Sequence, residues 1–438
     1  MIDLLAHGVG NREDLPIPFA FAVTGAAVAI VASFLALGLL WREPRLGAAT
    51  AGRPLPAGLA RMIDSRLVRT GLRVLGGLIT AYVVMAAVFG RDDALNPTAG
   101  VVYVLLWIAV PLLSVLIGPV WRLLNPIRSL HAVLSRLLGT RPEDGMAPLP
   151  ARLGYWPGAL SLLAFVWLEL VAPQSTTLPV LRTFFAGYLA VHLLAATYWG
   201  SSWFDKGDGF EVFSDLAGRL APWGRREDGV LVRRNPLDGV AGTPVAPGLF
   251  AVVGVLLGST AYDSLAGSPW WVTVLQTGRF SAELSGTLGL LAMVALVTSA
   301  FAGAAALSVR GTGLRPMQAG AELAHSLVPI VVGYVVAHYW SLLVLIGQQT
   351  VIQLSDPLGT GADWLGTGGR GVDGTLAGPT LTSVVQVTAV VTGHVLAVVL
   401  AHDRAVRLLP RRQAVGQVPL LVLMVAYTVG GLTLLFAV

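Results

Sequence analysis

The chain has 438 residues, 55% of them hydrophobic and 12% charged, with a formal net charge of +5. A soluble domain carries about 25% charged residues, so an ordinary soluble protein is excluded. Cysteine is absent, which removes disulfides, thiolate nucleophiles, iron–sulfur clusters and Cys-type zinc sites.

Apolar runs close to the ~20 residues that a helix needs to cross the hydrocarbon recur along the chain. They predict an all-α, polytopic transmembrane helix bundle of ten spans. In chain order these cover residues 18–40, 72–89, 100–120, 156–172, 181–200, 247–266, 285–307, 321–345, 381–401 and 417–437. The segment before the first span carries Asp3, Glu13 and Asp14 and no basic cluster, so it reads as a short tail outside the membrane.

Arginine fixes the direction. Arg42, Arg45, Arg53, Arg61, Arg66 and Arg69 follow the first span, and Arg122, Arg128, Arg136, Arg141 and Arg152 follow the third. Lys206, the single lysine, precedes Arg219, Arg225, Arg226, Arg233 and Arg234 after the fifth. Arg310 and Arg315 follow the seventh, and Arg404, Arg407, Arg411 and Arg412 the ninth. The intervening loops hold little beyond Arg91, Arg182, Arg279 and Arg370. Both termini are therefore expected outside, in a multi-pass protein of the plasma membrane. Arginines confined to loops read as topology, so no nucleic-acid partner is expected.

The domain reading is a first five-span half (1–202), a cytoplasmic loop (203–246) and a second five-span half (247–438) with a Gly-rich outer coil at 347–380. Two five-span halves of opposite orientation have the arithmetic of an inverted repeat, although no internal self-similarity is visible. Gly258, Ser259 and Thr260 in the sixth span, and Gly25 in the first, are either helix interruptions or small residues for helix packing.

Ionisable residues inside spans raise a functional hypothesis. His192 and His394 fall somewhat past the bilayer centre, toward the cytoplasm. His325 starts the eighth span with Glu322 one turn earlier on the same face, and His402 and Asp403 close the ninth span. This inner set is a candidate metal site or proton relay. An outer polar set comprises Glu169, Asp263, His338 and Gln386, and the two sets together form a discontinuous ladder across the membrane. Pro329 should free a backbone carbonyl near His325. For each residue the alternative is interfacial hydration or a neutral imidazole on a neighbouring carbonyl.

Three chemistries fit these residues. Histidine with carboxylate suits a divalent transition metal such as zinc, iron or copper. Glu322-Leu-Ala-His325 has the spacing of carboxylate di-iron bundles, but without a second copy. Histidine also suits proton relay at neutral pH. A haem between two histidines, with Gly393 making room beside His394, is the least supported. In "FDKGDGFEVFSD", Asp205, Asp208 and Glu211 either cradle a hard cation or form an ordinary Asp-Gly turn. No nucleotide-binding, serine-hydrolase or zincin motif is present.

The stretches "LAHGVGNREDLPIPFAFAVTGAAVAIVASFLALGLLWREPRL", "LNPIR", "KGDGFEVFS", "RRNPLDG", "GSTAYDS" and "AHSLVPIVVGYVVAHYWSLL" are spread along the chain. On them it resembles the multi-pass actinobacterial proteins labelled fenitrothion-hydrolase-like. The resemblance implies a membrane-bound hydrolase of organophosphate triesters and carries no residue-level catalytic assignment. Three functions follow as expectations: ion- or proton-coupled transport of a small solute or metal, a membrane-embedded metal-dependent hydrolase, or a haem-bearing or structural subunit working with other membrane subunits.

Overall fold

A computed structural model of the chain describes residues 14–47, 50–409 and 415–436. The expected tail before residue 14, with His7, Asp3 and Glu13, and the basic residues Arg411 and Arg412 lie outside the described residues. The fold is helical. Among the described residues, nine helices are long and apolar enough to cross a membrane. The fourth expected span is a shorter apolar helix of 15 residues, Trp156–Leu170.

Contacts divide the chain into two compact units that do not follow a linear five-plus-five split. The first unit draws on Met1–Ala51, Asn235–Leu342 and Gly374–Val438, and the second on Gly52–Arg234 and Leu343–Asp373. The physical reason is that the first span packs with C-terminal helices. Helix α1 (Phe19–Leu40) lies against the last two long helices of the chain, and the Phe19 and Phe436 rings meet at 5.7 Å.

The second unit holds α2 (Ala57–Asp64), α3 (Arg66–Phe89), α4 (Thr98–Ile117), α5 (Pro126–Leu137), α6 (Trp156–Leu170), α7 (Leu178–Trp199) and α8 (Gly209–Gly218), with α4, α5, α6 and α7 against α8. The first turns of α4 are π-helical over Val101–Ala109, a widened ladder that ends just before Pro111. Residues 203–246, expected as a cytoplasmic loop, instead contain this almost wholly buried helix. Its Phe210 and Phe213 join Trp107 and Phe165, with centroids 4.9 Å apart for Phe165–Phe210 and 5.3 Å for Trp107–Phe213. Gly209 lets α8 sit directly on Leu162, where a Cβ would fall 2.9 Å from that side chain. Three short strands, β1 (Arg53–Pro54), β2 (Trp223–Arg225) and β3 (Leu231–Arg233), form an antiparallel sheet in the order β1-β3-β2. Register places Arg53 and Trp223 on either side of Arg233.

In the first unit α1 is joined by α9 (Leu249–Ala266), α10 (Ala282–Ser308), α11 (Pro316–Leu323), the start of α12 (Val328–Gln353), α13 (Pro379–Leu408) and α14 (Val418–Leu435). Helix α9 is the most enclosed of the nine long helices. It is unbroken: Gly254 and Gly258 bring its backbone against α10, where a Cβ would fall 2.0 Å from Thr298 Oγ1 and 2.6 Å from Val294 Cα. These glycines are packing residues, as in small-residue membrane interfaces. Gly25 meets nothing within 4 Å and leaves α1 continuous. Gly333 and Gly393 fit α12 to α13, so the space expected beside His394 for a macrocycle is taken by the Pro329 carbonyl, 2.6 Å from a Cβ at Gly393.

The eighth span is interrupted. A 3-10 turn, Ala324–Leu327, separates α11 from α12, and Pro329 is the second residue of α12, where its missing N–H costs nothing. The His325 carbonyl expected to be free accepts from the Val328 N–H. Helix α12 continues to Gln353, so the Gly-rich coil begins later than residue 347. That coil is pinned by aspartates: Asp356 accepts from Gly361 N at 2.7 Å and Asp363 from Gly368 N at 2.8 Å.

Large apolar side chains such as Phe21, Leu39, Leu78, Leu194 and Leu296 stand exposed on these helices. So much exposed apolar surface marks a lipid-facing protein. Overpacking at a close helix contact costs about 1–3 kcal/mol. Gly258→Leu is therefore expected to lower Tm in detergent by thermal circular dichroism, while Gly25→Leu leaves it unchanged. Equal Tm values would contradict the assignment of Gly258 as the contact.

Candidate functional site

The first unit brings two of the outer residues into direct contact. Asp263, in the last turn of α9, and His338, in α12, are both buried, with Nε2 and Oδ2 2.6 Å apart. The carboxylate accepts, so Nε2 carries the hydrogen. The Tyr339 hydroxyl approaches the same oxygen at 3.5 Å, and its ring stands edge-on to the imidazole at 4.8 Å. His338 Nδ1 has no hydrogen-bond partner. The preceding polar residues of α9 are satisfied within the helix: Ser259 and Thr260 donate to the Leu256 carbonyl at 3.2 and 2.6 Å. Gln386 of α13 is buried with its Oε1 unpartnered. Glu169 belongs to the second unit, half-buried on α6 within electrostatic reach of the Tyr103 phenol.

The inner residues resolve into local roles. The Glu322 carboxylate turns to Arg404 at 3.3 Å, while the His325 ring bonds the backbone of Glu322. Their Glu-x-x-His spacing thus produces no shared ligand direction. His394 Nδ1 donates to the Val390 carbonyl at 2.8 Å, and its Nε2 is buried without a partner. His402 lies between Gln417 Oε1 and the Trp41 carbonyl, each at 2.9 Å. Asp403 accepts from Trp41 Nε1 at 3.1 Å, Arg45 N at 2.6 Å and Leu46 N at 3.2 Å, and pairs with Arg407 at 3.2 Å. His402 and Asp403 therefore clamp the chain leaving α1 onto the end of α13.

His192 belongs to the second unit, and His325 and His394 to the first. Its Nδ1 accepts from Trp203 Nε1 at 2.9 Å, and its ring lies 4.1 Å from that of Tyr188. Among the described residues, no group of three or more His, Asp or Glu side chains is placed to hold a metal ion.

The acidic segment of the second unit is a brace between helix ends. Asn125 caps α5 and donates through Nδ2 to Asp208 at 2.9 Å and Glu211 at 3.0 Å. Asp208 caps α8 and accepts from Tyr188 at 2.8 Å. Arg128 grips Glu211 through Nε at 3.0 Å and Nη2 at 2.6 Å, and reaches Asp205 at 2.6 Å. With these oxygens occupied by protein donors, the hard-cation alternative has no free ligand set. The sequence reading takes Arg128 only as a topology arginine and gives no site role to Asn125, Tyr188 or the buried His131, which sits beside Phe204 at 5.9 Å. The Asn-Pro and Asp-Gly pairs are cap signals that could have identified the first contact.

Burial pushes the Glu211 carboxyl up from 4.5 to about 7, against the pull of Arg128. For Arg128, burial acts to lower it, and the carboxylates of Glu211 and Asp205 outweigh this and hold it above its usual range. Because the folded state binds the Glu211 proton more tightly than the unfolded state, that contribution to stability is complete below about pH 4.5 and is lost as pH rises through about 7. Tm is expected to fall between about pH 5 and about pH 8, and Glu211→Gln should flatten that slope. Parallel slopes for the two proteins would contradict it.

No family model, curated protein or solved structure matches this chain.

Proposed function

We propose that this polytopic membrane protein is a proton-coupled transporter of a small solute, with the Asp263–His338 pair as its coupling site. One observation carries the reading: a carboxylate and an imidazole hydrogen-bonded at 2.6 Å within long apolar helices. Ionisable groups at membrane depth are costly and are retained where charge must move. Histidine is the side chain best suited to exchange a proton near neutral pH. The pair also has an unused end, because Nδ1 can pass or receive a proton while Nε2 keeps its bond to Asp263. Asp208, Glu211 and Asp403 are engaged by several fixed donors that tie elements together.

The same reading takes Trp156–Leu170 as the tenth crossing, places both termini outside and locates the protein in the plasma membrane. Alternating arginine-rich loops support it. The organophosphate hydrolase activity that the sequence resemblance implies has less support, since the metal that would activate water has no three-residue ligand group among the described residues. A subunit role with haem has equally little, given the filled space at Gly393.

Proteoliposomes with an internal pH-sensitive dye and an imposed pH gradient test the proposal. Asp263→Asn and His338→Gln are each expected to cut proton flux at least about tenfold, a change equivalent to roughly 1.4 kcal/mol, while eluting as the folded protein does. Flux at the unmodified rate in both variants would refute the coupling role.

A further inference from the structure

A cavity of about 620 Å³ lies at the end of α7 in the second unit, and Glu143, Asp144, Trp199, Ser202, Asp205 and Lys206 are among its lining residues. That volume is within the range of small-molecule sites. Its walls come from the segments 143–149 and 199–206, which backbone bonds latch together. Ala147 N donates to the Tyr198 carbonyl at 2.9 Å, and Ser201 N to the Pro142 carbonyl at 2.8 Å. Gly145 permits the approach, because a Cβ there would fall 2.8 Å from Trp199 Cα.

The charges around this space are held apart. The Asp205 carboxylate is taken by Arg128 at 2.6 Å and by Arg122 at 3.2 Å. Lys206, on the short helical turn Phe204–Gly207, sets its ammonium 5.9 Å from the centre of the Tyr155 ring. Glu143 and Asp144 stand exposed on the other segment. Among the described residues, no ion pair joins Lys206 to any of the three acids. An ammonium and two carboxylates that share a cavity without pairing suit a guest carrying both signs of charge. Its cation would meet Glu143, Asp144 and the negative end of the α7 dipole, and its anion would meet Lys206.

The position of the cavity selects the guest. Helix α7 is long and apolar enough to cross the membrane and ends at Trp199, so the cavity lies where a span meets the headgroup layer. Leu194 and Tyr198 leave an exposed stripe that runs up to it, and Met146 is exposed on the facing loop. Aromatic rings at a span end belong to that layer. A trimethylated ammonium has no N–H to donate to the carboxylates, and a purely anionic headgroup would meet Glu143 and Asp144 as like charges.

We propose that this cavity holds the headgroup of a phospholipid bearing a primary ammonium, phosphatidylethanolamine in class, with its phosphate on Lys206 and its ammonium on Glu143 and Asp144. The inference is independent of the coupling role proposed for Asp263 and His338.

Native mass spectrometry of the purified full chain in detergent tests it, with phosphatidylethanolamine, phosphatidylcholine and phosphatidylglycerol of matched acyl chains and with free O-phosphoethanolamine. Phosphatidylethanolamine is expected to bind at least about tenfold more tightly than the other two lipids. Lys206→Gln should erase that preference. Glu143→Gln combined with Asp144→Asn, on exposed side chains, should do the same and keeps the test open should Lys206→Gln fail to fold. Equal affinity for the three lipids, tighter binding of phosphatidylglycerol, or an unchanged preference in either folded variant would overturn the proposal. Free O-phosphoethanolamine binding as tightly as the lipid would overturn the lipid as occupant.

Discussion

A carboxylate within an apolar helix bundle must find its hydrogen bonds inside the protein, because the hydrocarbon offers none. Asp263 bonds the His338 imidazole, with the Tyr339 phenol at 3.5 Å. Asp208, Glu211 and Asp403 meet that constraint with several donors each, from backbone amides, guanidinium groups, an amide, a phenol and an indole. Fixed donors fasten segments together, whereas the Asp263–His338 bond leaves the imidazole Nδ1 without a hydrogen-bond partner.

The helices supply the surroundings this pair needs. Gly254 and Gly258 draw α9 against α10, and Gly333 and Gly393 draw α12 against α13. Close backbone contact of this kind excludes lipid from the interior without bulky side chains. The exposed faces of α1, α3 and α10 carry large apolar residues that meet the bilayer instead. In the second unit the Asn125–Asp208–Glu211–Arg128 brace does comparable work with polar groups, joining the caps of α5 and α8.

Much of the fold was legible in the sequence because span length is set by bilayer thickness. Among the described residues, nine long apolar helices lie where the hydropathy of the chain places them. The ends were less legible: α13 runs to Leu408 and α12 to Gln353, since nothing in an apolar run announces where a helix leaves the membrane. The buried α8 was missed because ten residues are too few for a span and its Phe-Glu-Val-Phe pattern reads as an amphipathic surface. At the site, depth along a helix could be estimated but rotation about it could not. Asp263 and His338 were placed at one level, and the structure joins them. His192, His325 and His394 were expected to gather, yet each is bonded to its own neighbours.

Infrared difference spectroscopy of the acidified against the neutral protein addresses the pairing of Asp263 with His338 most directly. If the two exchange protons as a unit, the carboxylic C=O band that disappears with Asp263→Asn should shift or vanish with His338→Gln as well. A band that persists unaltered after the histidine is replaced would mean that Asp263 acts alone, and the account of coupling built on the pair would be contradicted.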